Sequence, residues 1–134
     1  MNEPRRLYTV ERANKALPLV ARIVDDVVAR AHELRNLGQL KRSARCEALE
    51  TIERELLETE RELERHAQEL AALGVEVKDP MKGLIDFPAR SGERAIYLCW
   101  MKGEASVAWW HPIETGFSGR RPISELPGEI RGEA

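Results

Sequence analysis

The sequence predicts an α+β fold: a long antiparallel helical hairpin, preceded by a short helix and followed by a small three- to four-stranded antiparallel sheet. Two observations carry this expectation. Up to Leu73 the apolar residues recur at alternating steps of three and four, the period of a helix seam. After Gly74 the chain turns to short runs of β-branched and aromatic residues broken by Gly and Pro, as strands and turns are. With 134 residues there is material for one core, hence one domain. Its expected parts are the hairpin over about 9–73, the sheet and its loops over about 75–123, and a frayed tail over 124–134.

Thr9 with Glu11 behind it reads as an N-cap and an acidic first turn, opening a short helix to about Ala16. Pro18 lacks an amide donor and its ring crowds the preceding turn, a cost of ~3 kcal/mol inside a helix, so a kink or restart is expected at Leu17 and Pro18. The first long helix follows, with Val20, Val24, Val27, Ala31 and Leu34 on one seam, and ends near Gly38. The second runs from about Ser43 to Leu73 on Leu49, Ile52, Leu56, Leu63, Leu70 and Leu73, with Thr59 and His66 filling the remaining seam positions. Gly74 stands where a C-cap glycine belongs, and the short link between the helices favours an antiparallel pair. Ile23, Val28 and Leu57 widen the stripe beyond a two-helix seam, which points to a homodimer through the helical arms.

The expected strands are Val75 to Val77, Leu84 to Phe87, Arg94 to Trp100 and Ser106 to His111, with turns at Asp79 to Gly83, Arg90 to Glu93 and Lys102 to Glu104. If the last hairpin turns on two residues, Ile96, Leu98, Trp100, Val107, Trp109 and His111 share the core face. Tyr97, Cys99, Met101, Ser106, Ala108 and Trp110 then share the other, which is less polar than a solvated face and calls for a cover.

Twenty-one basic and 23 acidic residues leave a formal charge of −2, so no overall field draws the chain to nucleic acid or an anionic membrane. No stretch approaches the ~20 apolar residues of a spanning helix, and Cys46 and Cys99 form no disulfide framework. A cytoplasmic, reducing address is the expectation.

Several runs together resemble a known family: Val77-Lys78-Asp79, Gly83 to Pro88, Leu98-Cys99-Trp100 with Gly103-Glu104, Trp110-His111, Gly116-Phe117 and Gly119-Arg120, and nearer the start Ala13-Asn14 and Leu17-Pro18. The chain is similar over nearly its whole length to the bacterial group catalogued as domain of unknown function 2203. That resemblance implies a small bacterial cytosolic protein and carries no catalytic assignment.

The reactive side chains concentrate in the sheet half: Asp86, Glu104, His111 and Arg120. If the loop from Pro112 folds back, His111 becomes an acid or base, Asp86 the group that orients its imidazole, and Arg120 a clamp for an anionic group. The plainer alternative is an Asp86–Arg120 ion pair pinning the loop, with His111 at a strand end. Glu104, at the turn, lies roughly 20 Å along the strand from His111 at ~3.3 Å per residue, so the two do not meet within one hairpin. Trp100, Trp109 and Trp110 make either a core or an aromatic wall for a ligand; because Trp109 and Trp110 point oppositely, at least one lies at a pocket or interface.

Three histidines and two cysteines without a C-x-x-C or H-x-x-x-H spacing argue against a metal site, and no cofactor is expected. Cys99 reads as a buried inert thiol, and His66 as a hydrogen-bonded seam residue. The basic groups Lys41, Arg42 and Arg45 near the hairpin tip and Arg120-Arg121 in the late loop could each touch phosphate, but as short groups offset by acids they read as solvated charge. The function these features favour is a non-enzymatic dimeric binding or scaffold module that meets a protein partner or small ligand, with Arg120, Trp100, Trp110 and Glu104 on the binding surface. The alternative is a small enzyme using His111, Asp86 and Arg120 on an anionic small molecule.

Overall fold

A computed structural model describes residues 7–126. Helix α1 spans Val10–Lys41 and α2 spans Cys46–Ala72. Five strands follow: β1 Glu76–Asp79, β2 Leu84–Ser91, β3 Arg94–Met101, β4 Trp109–Pro112 and β5 Arg121–Pro122. They form one antiparallel sheet in the order β1-β2-β3-β4-β5. The fold is the expected α+β hairpin and sheet with one more strand, β5, a two-residue edge too short to leave a pattern.

Thr9 caps α1, its hydroxyl accepting the Arg12 amide at 3.1 Å. The expected break at Pro18 does not occur, and α1 is continuous through it. Val10, Ala13, Leu17, Val20, Val24, Val27 and Ala31 are all buried on one stripe that stays in phase across the proline. Burying an aliphatic side chain is worth ~1.5–3 kcal/mol, so this stripe outweighs the ~3 kcal/mol proline cost many times over.

Helix α2 ends in a Schellman motif: the Gly74 amide donates to the Ala71 carbonyl and Val75 to that of Leu70, each at 2.9 Å, with Gly74 at φ 83°. Ion pairs Arg30–Glu62 and Lys41–Glu53 mark the antiparallel register of the arms. Buried Thr59 holds a seam position, and the seam residues nearer the tip, Leu49, Ile52 and Leu56, are half-buried.

The hairpin packs on one face of the sheet. Ile85, Phe87, Ala89, Ile96, Leu98, Trp100 and Trp110 meet the α1 stripe and Leu70 there. Tyr8 closes one end, its amide bonding the Pro88 carbonyl and its hydroxyl the Leu73 carbonyl, with its ring edge-on to Phe87. The 124–134 tail was expected to fray, yet Ile123–Glu125 form a 3-10 turn and Leu126 is buried in the core; 127–134 lie outside the described residues.

The expected face assignment of the last hairpin is wrong by one residue. Leu98 pairs with Trp110, Tyr97 with His111 and Cys99 with Trp109, so Trp110 joins the core face while Trp109 and His111 share the outer face with Cys99 and Tyr97. The cause is a wide connection in place of a two-residue turn, since β4 begins only at Trp109. Asn14 of α1 takes both backbone groups of Val107: its Oδ1 accepts the Val107 amide at 2.8 Å and its Nδ2 donates to the Val107 carbonyl at 3.2 Å. The carboxamide stands in for a strand partner, which frees Val107 from the ladder and lets the chain change parity before β4.

Candidate functional site

The outer face of the sheet is built by alternation. Asp86 faces outward from β2 between core residues Ile85 and Phe87, Cys99 is its register partner on β3, and His111 comes from β4 beside Tyr97. Asp86, Cys99 and His111 are 1%, 0% and 2% exposed, a concentration of buried polar groups on a face that the helices do not cover. Their nearest donor atoms all lie within 4.8 Å of one another.

His111 Nε2 sits 3.1 and 3.0 Å from the two Asp86 oxygens, and its Nδ1 is 2.7 Å from the Pro112 carbonyl. A carbonyl can only accept, so Nδ1 carries a hydrogen. Burial opposes a charge on the imidazole, but the hydrogen bonds to Asp86 and to the Pro112 carbonyl, with the Asp86 charge, prevail and raise the His111 pKa. Cys99 goes the other way from reactivity: burial, and then the Asp86 carboxylate, push its thiol up to about 12, with only partial relief from Arg120. With the thiol pushed up and the imidazole held by Asp86 at Nε2 and by the Pro112 carbonyl at Nδ1, no thiolate–imidazole nucleophile–base pair is set up.

Arg120 does return over this face, but its carboxylate partner is Glu104, at 2.7 Å, and not Asp86. The expected Asp86–Arg120 pair is replaced by two pairs, Asp86–His111 and Glu104–Arg120. Glu104 also accepts the Met101 amide at 2.9 Å, closing the β3–β4 connection. Burial works against its charge, and the Arg120 hydrogen bond with the Met101 amide outweighs it, so the Glu104 pKa is lowered. The Arg120 guanidinium stacks between Trp109 at 4.9 Å and Phe117 at 4.7 Å, and its Nε is buried without a hydrogen-bond partner. On the other side of the cluster, Tyr97 donates to Glu76, which also pairs with Lys78 at 2.9 Å.

Asp86, His111 and Arg120 therefore gather on one face, with Glu104 held there by Arg120. Trp100 and Trp110, the expected aromatic wall, lie in the core instead, Trp100 donating to the Glu104 carbonyl. The aromatic on the site face is half-buried Trp109. Cys99, expected to be an inert thiol, leaves no signal along the chain that joins it to Asp86 and His111, because the three come from different strands and only register brings them together. Elsewhere, His66 is 3.4 Å from Glu69 on α2. A shallow groove of about 480 Å³ between α2 and β1 is lined by Val27, Leu63, Ala67, Val77 and Pro80 with Glu60 and Glu64. Both cysteines are free, and among the described residues no helix is long and apolar enough to cross a membrane.

The family model described as "Uncharacterized conserved protein (DUF2203)" matches residues 6–123, a span that holds every residue of the site. Neither the curated proteins nor the solved structures yield a match.

Proposed function

We propose that this chain, which belongs to the DUF2203 family, is a non-enzymatic binding module of the bacterial cytoplasm that holds its ligand at the outer face of the sheet. The observation that carries the reading is the Asp86–Cys99–His111 cluster, buried beside the stacked Arg120 with its acid–base groups committed to one another. Buried ionic groups gain little stability over apolar residues of the same volume, so a cluster of this kind in a small domain favours recognition over structure. The protonated thiol and the saturated imidazole favour binding over nucleophilic or general-base chemistry.

Thermal denaturation of the full chain against a panel of phosphate, small carboxylates and divalent metal salts tests this. A ligand at about 100 times its Kd adds about 2.7 kcal/mol to stability. The expected result is a concentration-dependent rise in Tm with at least one member of the panel, lost in Asp86→Asn. A flat response across the panel would overturn the reading.

A second reading, an anionic small molecule held or turned over at Arg120 with His111 and Asp86, is favoured by the unpartnered Arg120 Nε. His111→Ala that folds and still binds and turns over such a substrate would end it. The arms are proposed to carry self-association. Leu57 is 48% exposed on α2 among Glu60, Arg61 and Glu64. A patch with both charge signs around an apolar centre can meet its own copy across a two-fold axis. A dimer mass by sedimentation, reduced to monomer by Leu57→Lys, is expected; a monomer at every practical concentration would remove this part.

A further inference from the structure

Within that binding reading, we infer that Asp86, Cys99 and His111 form a binding site for a borderline divalent transition-metal ion of the zinc class. The three residues supply one oxygen, one sulfur and one nitrogen donor, all within 4.8 Å of one another and all buried. Donors around a four-coordinate zinc stand about 3.4 Å apart, given bonds of ~2.0–2.3 Å, so the cluster has to contract toward sulfur by up to about 1.4 Å and open by a few tenths of an ångström between His111 and Asp86.

An independent feature points the same way. The His111 Nδ1–H donates to the Pro112 carbonyl at 2.7 Å. This bond fixes the tautomer that turns Nε2 toward Asp86, and a backbone carbonyl behind the ring is how metal-ligating histidines are oriented. Among the acceptors near the ring, the carbonyl takes one nitrogen and leaves the other for the cluster.

The donor set also chooses the ion. Magnesium and calcium take six or more oxygens, whereas one carboxylate, one imidazole and one thiolate suit zinc, cobalt and their neighbours. The ligand charges, one from Asp86 and one from the Cys99 thiolate, neutralise a dication, and the adjacent Arg120–Glu104 pair adds none. Binding releases the Cys99 thiol proton and the proton shared between His111 and Asp86 to solvent. Three protein ligands leave a fourth position for water or a ligand atom, and the Arg120 guanidinium is close enough to Cys99 to act on its thiol.

Cobalt(II) titration of the full chain, after chelator treatment and removal of the chelator, tests the inference. The expected result is one Co2+ per chain with a thiolate-to-cobalt charge-transfer band in the near ultraviolet, displaced by Zn2+ and unaffected by excess Mg2+. Cys99→Ser abolishes the band, whereas Cys46→Ser, at the exposed start of α2, retains it. Should Cys99→Ser fail to fold by circular dichroism, Asp86→Asn decides, with cobalt affinity expected to fall tenfold or more. No stoichiometric uptake, uptake without the band, or a band that survives Cys99→Ser would overturn the site. A chain that takes up no metal yet is stabilised by phosphate or a carboxylate would overturn this inference and leave the binding module standing.

Discussion

Asn14→Ala tests the idea that one carboxamide sets the parity of the β3–β4 hairpin. Val107 is 1% exposed, so its amide and carbonyl have no water to turn to when Asn14 is cut back. Each buried backbone group left without a partner costs about 1–3 kcal/mol, giving roughly 2–6 kcal/mol for the pair. The third bond, Asn14 Nδ2 to the Val10 carbonyl at 3.0 Å, is of lesser weight, because that carbonyl lies within a helix. Alanine's better helix propensity returns about 0.6 kcal/mol. The net expectation is a loss of about 2–5 kcal/mol. For a chain of this size each kcal/mol is worth roughly 3–5 °C, so Tm falls by about 6–25 °C. Urea denaturation followed by tryptophan fluorescence reads the free energy directly, and Asn14→Asp, which keeps the acceptor for the Val107 amide but sets a carboxylate oxygen against the Val10 and Val107 carbonyls, should be at least as damaging as alanine. If Asn14→Ala shifts stability by under about 0.5 kcal/mol, the carboxamide is not what holds Val107 off the ladder, and the account of the register is refuted.

Gly83 has φ +71°, and a Cβ there would lie 2.7 Å from the Lys102 Cβ, so Gly83→Ala should destabilise by about 2–4 kcal/mol in thermal melts, strain and clash adding. An unchanged Tm would contradict the close approach. Glu104→Ala leaves the largely buried Arg120 without its anion and the Met101 amide without its acceptor. A loss of about 2–3 kcal/mol is expected by urea denaturation, and Glu104→Gln should recover part of it through the amide bond.

The two shifted pairs also predict a pH optimum. His111 is raised above its ordinary 6.5, so its contribution is full below that value and is lost as pH rises through the folded pKa. Glu104 is lowered from 4.5, so its contribution is present above that value and is lost as pH falls through the folded pKa. These groups together place maximal stability between about 4.5 and 6.5; a Tm that keeps climbing from pH 6.5 to 8.5 would contradict the His111–Asp86 assignment.

The two long helices, the Thr9 cap, the Gly74 stop and the change to sheet are legible along the chain, because each rests on local periodicity or on a backbone conformation that one residue type dictates. Asp86, Glu104, His111 and Arg120 likewise stand out in one half of the chain. The rest depends on contacts between elements. Pro18 stays helical because a continuous stripe buried on the sheet outweighs a local penalty. Arg120 pairs with Glu104 and not with Asp86 because the wide β3–β4 connection brings the turn carboxylate to the returning loop while His111 occupies Asp86. Cys99 joins the cluster, and Trp109 takes the place expected of Trp110, because strand register has a period of two and Asn14, far away in sequence, shifts that register by one residue. Periodicity along the chain says which residues can share a face, but a contact from another element decides which face it is.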